Sequence, residues 1–270
     1  MSDFAFIQIS DHHLPERESD LVRGISPTYT FRAVMRHIAQ HSAQHADFIL
    51  STGDLVDPCS ETGYQNTRRL LGLKQAQSPE LFGEINIEGL QNFPMYFMPG
   101  NHDERPLFLQ HLFSQSAPNK LVNFAFQHKG VQFVCLDMGA DPKAVLYPET
   151  LDFLAQALHN DISTILVTHH HIVPIGSRWL DEFIAHDIQE LWKLLTAPHV
   201  NGKLLGVLSG HTHITYEKYY RGIPVFGLRS TTFSFALQDE PLITLEPPHY
   251  RLVSLQNGLL TTRIFEVNLS

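Results

Sequence analysis

The chain reads as an α/β protein in which two mixed β-sheets pack face to face with helices on the outside. Three observations carry this expectation. Short β-type runs alternate with stretches of helical periodicity through the first three quarters of the chain, hairpin signals dominate after that, and five of the β-type runs stop at clusters of His, Asp or Asn. Alternating βα units build parallel strands, hairpins add antiparallel ones, and a sheet apolar on one face must bury that face against another layer.

Phe4 to Ser10 is a β-type run that ends at Asp11-His12-His13. Thr28 to His45 carries Phe31, Val34, Met35 and Ile38 at helical spacing, and Phe48 to Thr52 then leads into Gly53-Asp54-Leu55-Val56-Asp57. Pro94 to Met98 repeats the arrangement before Gly100-Asn101-His102-Asp103, where glycine lets the backbone turn tightly. Phe124 to Gln127 and Val131 to Leu136 flank a turn at Lys129-Gly130, and a helix is expected from about Pro148 to Leu158. Ser163 to Thr168 is a buried strand that stops at His169-His170-His171. A helical stretch from Leu180 to Leu195 precedes Lys203 to Ser209, which runs into Gly210-His211-Thr212-His213.

Beyond that point, Tyr216 to Tyr220 and Ile223 to Leu228 flank Arg221-Gly222, while Tyr250 to Leu255 and Leu259 to Val267 flank Asn257-Gly258, a type I′ hairpin signal. Gln75 to Asn92 and Asp239 to His249 are polar or proline-bearing and read as loops over a site or as an oligomer contact. No repeat, linker or low-complexity tract interrupts the chain, so residues 1–270 are expected to form one domain.

Composition narrows the function classes. The formal charge is -9 and the basic residues are scattered, so the footprint of a protein that binds long nucleic acid is missing. A small phosphorylated substrate stays compatible, because bound divalent cations would reverse the local field. Two cysteines, Cys59 and Cys135, argue against a disulfide framework or a thiolate metal site; both read as packing residues. The N-terminal stretch shows neither a basic leader nor a long apolar run, and no later run is long enough for a bilayer span, so the expectation is a cytoplasmic protein with no membrane partner. A homodimer is compatible with the two polar segments named above.

Eight of the seventeen histidines fall in four of the clusters, and the fifth cluster supplies carboxylates. Imidazole, carboxylate and amide oxygen suit Mn²⁺, Fe²⁺ or Zn²⁺. Asp11 and His13, one residue apart on an extended strand end, would point to the same side and grip one ion, with His12 pointing elsewhere. Asp54 follows a glycine and has two oxygens with which to bridge cations roughly 3.5 to 4 Å apart. Asn101, His169, His211 and His213 would complete two coordination spheres, with His170 the alternative to His169 if the strand ends one residue later. His170 and His171 otherwise read as supporting donors or loop residues, Asp57 as a turn or supporting carboxylate, and Asp103, Asp137 and Asp181 as structural carboxylates outside the site.

The motifs D-x-H, GD-x-x-D, GNH, a histidine-rich strand end and GH-x-H, in that order, resemble the calcineurin-like metallophosphoesterases over nearly the whole chain. Within them the sequence is most similar to the bacterial class III cyclic nucleotide phosphodiesterases, of the cyclic 3′,5′-AMP phosphodiesterase type. The residues of that match are Ile9 to Leu14, Thr52 to Leu55, Pro99 to Asp103, His169 to His171 with Trp179-Leu180-Asp181, and Ser230-Thr231. The resemblance implies a four-layer αββα sandwich, the metallo-dependent phosphatase fold. It implies two divalent ions, Fe or Mn in preference to Zn, one held by Asp11, His13, Asp54 and His213 and the other by Asp54, Asn101, His169 and His211. His102 would act on substrate, and Asn101 and His211 would also face it.

Two features depart from the nearest relatives: His12 stands where a small residue is usual, and Ile172-Val173 delays the proline that commonly follows the histidine run. Arg229 adds a positive group that would either meet a phosphate or pair at the surface. The function so implied is hydrolysis of a phosphodiester, 3′,5′-cyclic AMP to 5′-AMP in the first instance. The alternatives are a broad-specificity enzyme on glycerophosphodiesters, other nucleotides or phosphomonoesters, and a catalytically silent metal-binding scaffold. A silent scaffold usually lacks a ligand, and here none is missing. Metalloprotease and deaminase readings fail for want of H-E-x-x-H or of H-x-E with P-C-x-x-C.

Overall fold

The computed structural model describes residues 2–74, 81–116 and 121–269. Its elements run in the order β1 (Phe4–Ile9), α1 (Pro27–His41), β2 (Ile49–Ser51), α2 (Glu61–Leu71), β3 (Phe82–Ile87), β4 (Leu90–Phe97), α3 (Arg105–Phe113), β5 (Phe124–His128), β6 (Val131–Leu136) and α4 (Pro148–Ala157). There follow β7 (Ser163–Thr168), α5 (Arg178–Asp181), α6 (Ile188–Leu195), β8 (Leu204–Ser209), β9 (Tyr216–Tyr220), β10 (Ile223–Gly227), β11 (Ser234–Phe235), β12 (Ile243–Thr244), β13 (His249–Gln256) and β14 (Leu259–Glu266). No helix among the described residues is long and apolar enough to cross a membrane.

Two six-stranded sheets form, in the orders β14-β13-β1-β2-β4-β3 and β5-β6-β7-β8-β10-β9. Each is mixed. β1, β2 and β4 are mutually parallel, as are β6, β7, β8 and β10, and antiparallel strands close the edges. Period-two alternation sorts the second sheet's side chains: Phe133, Cys135, Ile165, Val167 and Leu208 face the first sheet, while Val134, Leu136, Leu166 and Val207 lie with the residues of α4 and α6. Between the sheets sits an aromatic core in which Phe6 stacks on Phe48 at 5.0 Å and meets Phe133 edge-on at 5.1 Å. Each such fully buried ring stabilises the sandwich by roughly 1.5–3 kcal/mol.

The α/β class and the paired mixed sheets expected from the sequence are what the chain adopts. Asn257-Gly258 forms its hairpin turn with both residues at positive φ, 52° and 78°. Helix α1 starts as its sequence dictates, since the Ser26 side chain accepts from Tyr29 N and Pro27 occupies the first turn.

Three expectations need correction. Part of Gln75 to Asn92, taken as loop, is β3 and the start of β4, a hairpin turning at Gly89 (φ 79°); residues 75–80 lie outside the described set. Gly83, Glu84 and Asn86 are poor strand formers, and ladder pairing with β4 together with burial of Ile85 overrides them. The helix expected from Leu180 to Leu195 is broken into α5 and α6, because the chain leaves the helical path for Phe183 O to accept from Ala144 N at 2.8 Å. Asp239 to His249 is irregular apart from β12, which pairs with β11, and His249, which opens β13. Helices α2 and α3 had no sequence assignment.

The C-terminal ends of the parallel strands in both sheets meet at one edge. Gln8 joins them there, its buried side-chain amide donating to Thr52 Oγ1 and to Ser209 O, each at 3.2 Å. Thr231 N donates to Ser10 O at 3.1 Å. This edge carries all five clusters.

Candidate metal centre

Asp11 and His13 are not extended. Asp11 (φ 56°), His13 (46°), Asp54 (54°), His211 (67°) and His213 (51°) all lie in the left-handed region. A non-glycine residue there costs on the order of 1–3 kcal/mol. Asp and His are among the residues that tolerate it best. The reason is the sharp turn each strand makes at its end, which brings alternate side chains inward by folding the chain rather than by strand pleat. Backbone bonds hold the turns in place: Asp11 N to Gly53 O (2.9 Å), His13 N to Asp54 O (3.0 Å), Gly210 N to His169 O (3.0 Å) and Thr212 N to Gly210 O (2.7 Å). Ser230 Oγ donates to Asp11 O (2.6 Å) and Thr232 Oγ1 to His12 O (2.7 Å), so the segment after β10 braces the first turn.

Glycines allow the turns to touch. A Cβ on Gly53 (φ 105°) would stand 2.5 Å from His169 Nδ1 and 2.7 Å from Gly100 Cα. One on Gly100 would overlap the Asp54 carboxylate, and one on Gly210 would overlap Ser10 Oγ.

The side chains so placed converge. His169 Nδ1 donates to Thr52 O (2.8 Å) and His213 Nδ1 to Phe233 O (2.8 Å), which turns each Nε2 toward the cluster. His169 Nε2 then lies 3.3 Å from Asp54 Oδ2 and 3.1 Å from Asn101 Oδ1. His213 Nε2 lies 3.3 Å from Asp11 Oδ1 and 3.2 Å from His13 Nε2. His211 Nδ1 is 2.8 Å from Asn101 Oδ1, and His211 Nε2 is buried without a partner among the described residues. Two sets of potential ligand atoms each fall within 4.8 Å of one another, Asp11-His13-Asp54-His213 and Asp54-His169-His211, and Asp54 belongs to both. A third set, His13-Asp57-His102, lies at the mouth.

Electrostatics shows what such a cluster lacks. Burial alone would raise the Asp54 carboxyl, but the charge on His169 overrides it and holds Asp54 well below the usual carboxylate range. Burial would lower His169, yet Asp54 carries it to about 9. Burial drives His13 down, and burial with His170 drives His211 well down, so both are neutral imidazoles. Acceptors face acceptors, and one proton on His169 is the compensating charge. Divalent cations fit this donor set, since they require deprotonated imidazole and carboxylate and supply the positive charge in the proton's place.

Neighbouring groups fix the donors. His102 N donates to Asp54 Oδ1 at 2.8 Å, while its ring, about 40% exposed, stands at the mouth 4.9 Å from that of His13. Asp57 Oδ2 is 3.6 Å from His13 Nδ1 and 3.7 Å from His102 Nδ1. Fully buried Asp103 accepts from Leu55 N (3.1 Å), Gly100 N (2.9 Å) and Tyr64 Oη (2.9 Å), tying the loop after β2 to the loop after β4; burial, then Asp54, pushes its carboxyl up to about 6. Asp137 pairs with Arg105, which also donates to Gly100 O, and Asp181 accepts from Ile175 N and Gly176 N. All three aspartates are structural, as their loop positions suggest.

Of the two histidines left open, His169 faces the cluster and His170 Nε2 donates to Asp141 O at 2.9 Å. His12 points away, its ring nitrogens 2.9 Å from Ser51 Oγ and from Thr231 Oγ1, and burial keeps it neutral. Arg229 is buried rather than at the surface, and it pairs with Glu246 and with Glu266 at 2.8 Å. The carbonyls of Thr52 and Phe233, which orient two imidazoles, have no sequence signature that could have revealed them.

Comparison with known proteins agrees with this picture. The family signature described as calcineurin-like phosphoesterase matches residues 4–215. The chain is 28% identical over 264 residues to a 3′,5′-cyclic adenosine monophosphate phosphodiesterase, CpdA, of Haemophilus influenzae, covering 96% of this chain and 88% of that protein. It is 29% identical to a 3′,5′-cyclic-nucleotide phosphodiesterase of a Nostoc species, covering 96% and 91%. Among solved structures, purple acid phosphatase PPD1 from yellow lupin superposes with a TM-score of 0.66 at 12% identity, covering 98% of this chain and 52% of that one, a likeness of fold alone.

Proposed function

The chain belongs to the calcineurin-like phosphoesterases, and on that footing we propose that it is a metal-dependent phosphodiesterase that opens a 3′,5′-cyclic nucleotide, cyclic AMP in the first instance, to the 5′-monophosphate. The single observation that supports the metal chemistry is the convergence of His169, His213 and His13 nitrogens with Asp11, Asp54 and Asn101 oxygens at one strand edge. The activities of the two relatives support the substrate class.

In this reading Asp11, His13, Asp54 and His213 would hold one ion, and Asp54, Asn101, His169 and His211 the other. Two divalent ions would supply Lewis-acid neutralisation of the phosphoryl oxygens and a water activated near neutral pH. The chain's own residues do the rest. Asp54 would serve both ions, its carboxylate held in place by His102 N, which donates to Oδ1. Asp57 beside His13 Nδ1 orients that ring. His102, partly exposed at the mouth, hydrogen-bonds the phosphoryl oxygen and protonates the leaving alkoxide. Residues 1–270 act as one unit in which both sheets supply donors, and the two free cysteines suit a cytoplasmic setting.

The test is a substrate panel on protein loaded with Mn²⁺ or Fe²⁺: cyclic AMP, cyclic GMP, 2′,3′-cyclic nucleotides, bis(p-nitrophenyl) phosphate and a phosphomonoester. A higher kcat/KM for the 3′,5′-cyclic nucleotides supports the proposal. No preference over the generic diester sinks the cyclic-nucleotide assignment, and two bound metals with no hydrolysis of any ester would favour a silent scaffold.

A further inference from the structure

One flank of the cluster is built of aromatic rings to which the proposed function gives no role. The Phe233 ring lies 5.3 Å from His13 and 4.5 Å from His213, and Phe235 lies 5.1 Å from His213. Trp179 meets Phe235 at 5.0 Å and Phe183 at 5.9 Å, and Phe183 in turn stands 5.6 Å from His211. The rings thus form a continuous wall that starts and ends on proposed metal ligands. Phe235, Trp179 and Phe183 are only partly buried.

Two unused donors belong to this wall. Trp179 Nε1 is buried with no partner among the described residues. Arg23, an exposed residue, sets its guanidinium over the Phe233 ring, 5.1 Å from the centroid, and no ion pair engages it among the described residues. Arg23 and Gly24 are the two central residues of a tight turn closed by Val22 N to Ile25 O (2.9 Å) and Ile25 N to Val22 O (3.0 Å), with φ 51° and 82°. Arg229, the cation that the sequence brings to mind, is neutralised by two glutamates. Arg23 is not.

We propose that the partly buried rings of Phe235, Trp179 and Phe183, with Arg23 over the buried Phe233 at one end, are the subsite for the base of a nucleotide substrate. The proposal rests on the phosphodiesterase reading above and names the part of the substrate that the ions do not hold. The wall adjoins His213 and His211, so a base joined to a phosphate at the cluster can lie against it. Aromatic faces stack any base, and a guanidinium can donate to N7, the acceptor that adenine and guanine share.

The test is calorimetric titration of Mn²⁺-loaded protein with 5′-AMP, 5′-GMP and ribose 5-phosphate, for the native chain, Arg23→Met and Phe235→Leu. Native protein is expected to bind the nucleotides on the order of tenfold more tightly than ribose 5-phosphate. Arg23→Met and Phe235→Leu should each weaken both nucleotides, with ribose 5-phosphate affinity and manganese content held in each variant. Equal affinity for all three ligands in native protein, or an equal loss for all three in Arg23→Met, overturns the subsite. The two proposals fail separately: a base advantage without hydrolysis of cyclic nucleotides removes the enzyme assignment and keeps the subsite, whereas hydrolysis without a base advantage does the reverse.

Discussion

Replacing Asp103 tests whether the two central loops are held by an acceptor or by a charge. Its carboxylate is fully buried and takes hydrogen bonds from Leu55 N, Gly100 N and Tyr64 Oη. Asp103→Ala strands these three donors. A buried donor left unpaired costs about 1–3 kcal/mol. Allowing for the freedom of the Tyr64 hydroxyl to turn, the sum is about 3–6 kcal/mol, against a total stability of roughly 5–15 kcal/mol for a domain. Asp103→Asn has a different outcome. Its amide oxygen can take the place of Oδ2, accepting from Gly100 N and Leu55 N, while its NH₂ donates to the Tyr64 oxygen, so the loss should stay within about 1 kcal/mol. Urea unfolding of the metal-free variants reads both numbers, and metal titration of the folded fraction reads the consequence for the site. Leu55 and Gly100 flank Asp54 and Asn101, so Asp103→Ala should weaken metal affinity by about 10–100-fold. Equal destabilisation by both substitutions would refute the acceptor argument, as would an Asp103→Ala cost below about 1 kcal/mol.

His102→Ala should lower kcat by about 10²–10⁴ while metal content is unchanged; full turnover with both ions retained would remove its role. Gly53→Ala should abolish metal retention, because a Cβ at φ 105° meets His169 Nδ1 and the Gly100 backbone, and elemental analysis of the purified variant checks this. Arg229→Met should leave kcat/KM within about twofold, since its buried guanidinium is taken up by Glu246 and Glu266; a large rise in KM would show that it reaches substrate after all. Arg105→Met should cost about 3–5 kcal/mol by leaving the Asp137 carboxylate buried and unpaired. Burial would raise the Asp137 carboxyl, but Arg105 holds it below its ordinary value of 3.8. The native state therefore binds this proton less readily than the unfolded chain. Its stabilisation is complete above that ordinary value and is lost as pH falls through the folded one. Asp137→Asn should accordingly show a shallower acid decline of unfolding free energy than the native chain, measured by urea melts between pH 5 and 2.

Much of the fold was legible because its signals are local. Asn257-Gly258 needs only its own conformational preference to make a turn, and Ser26-Pro27 needs only its own chemistry to start α1. The strand β3 was not legible, since Gly83, Glu84 and Asn86 become strand only through pairing with β4. The break between α5 and α6 was likewise hidden, because the bond from Ala144 N to Phe183 O joins residues far apart in the chain.

For the site, the sequence by itself determined the donor inventory and its order, because ligand chemistry resides in residue type. Tertiary structure alone decided how the donors are aimed. It placed Asp11, His13, Asp54, His211 and His213 in left-handed turns rather than on extended strand ends. It chose tautomers through the Thr52 and Phe233 carbonyls, and it turned His169 inward and His170 toward Asp141. It also paired Arg229 with two glutamates and set Arg23 over the Phe233 ring. Each of these is a relation between segments brought together across the sheets, where the partner is a backbone atom or a distant ring, and such relations leave no mark on the identity of the residue they govern.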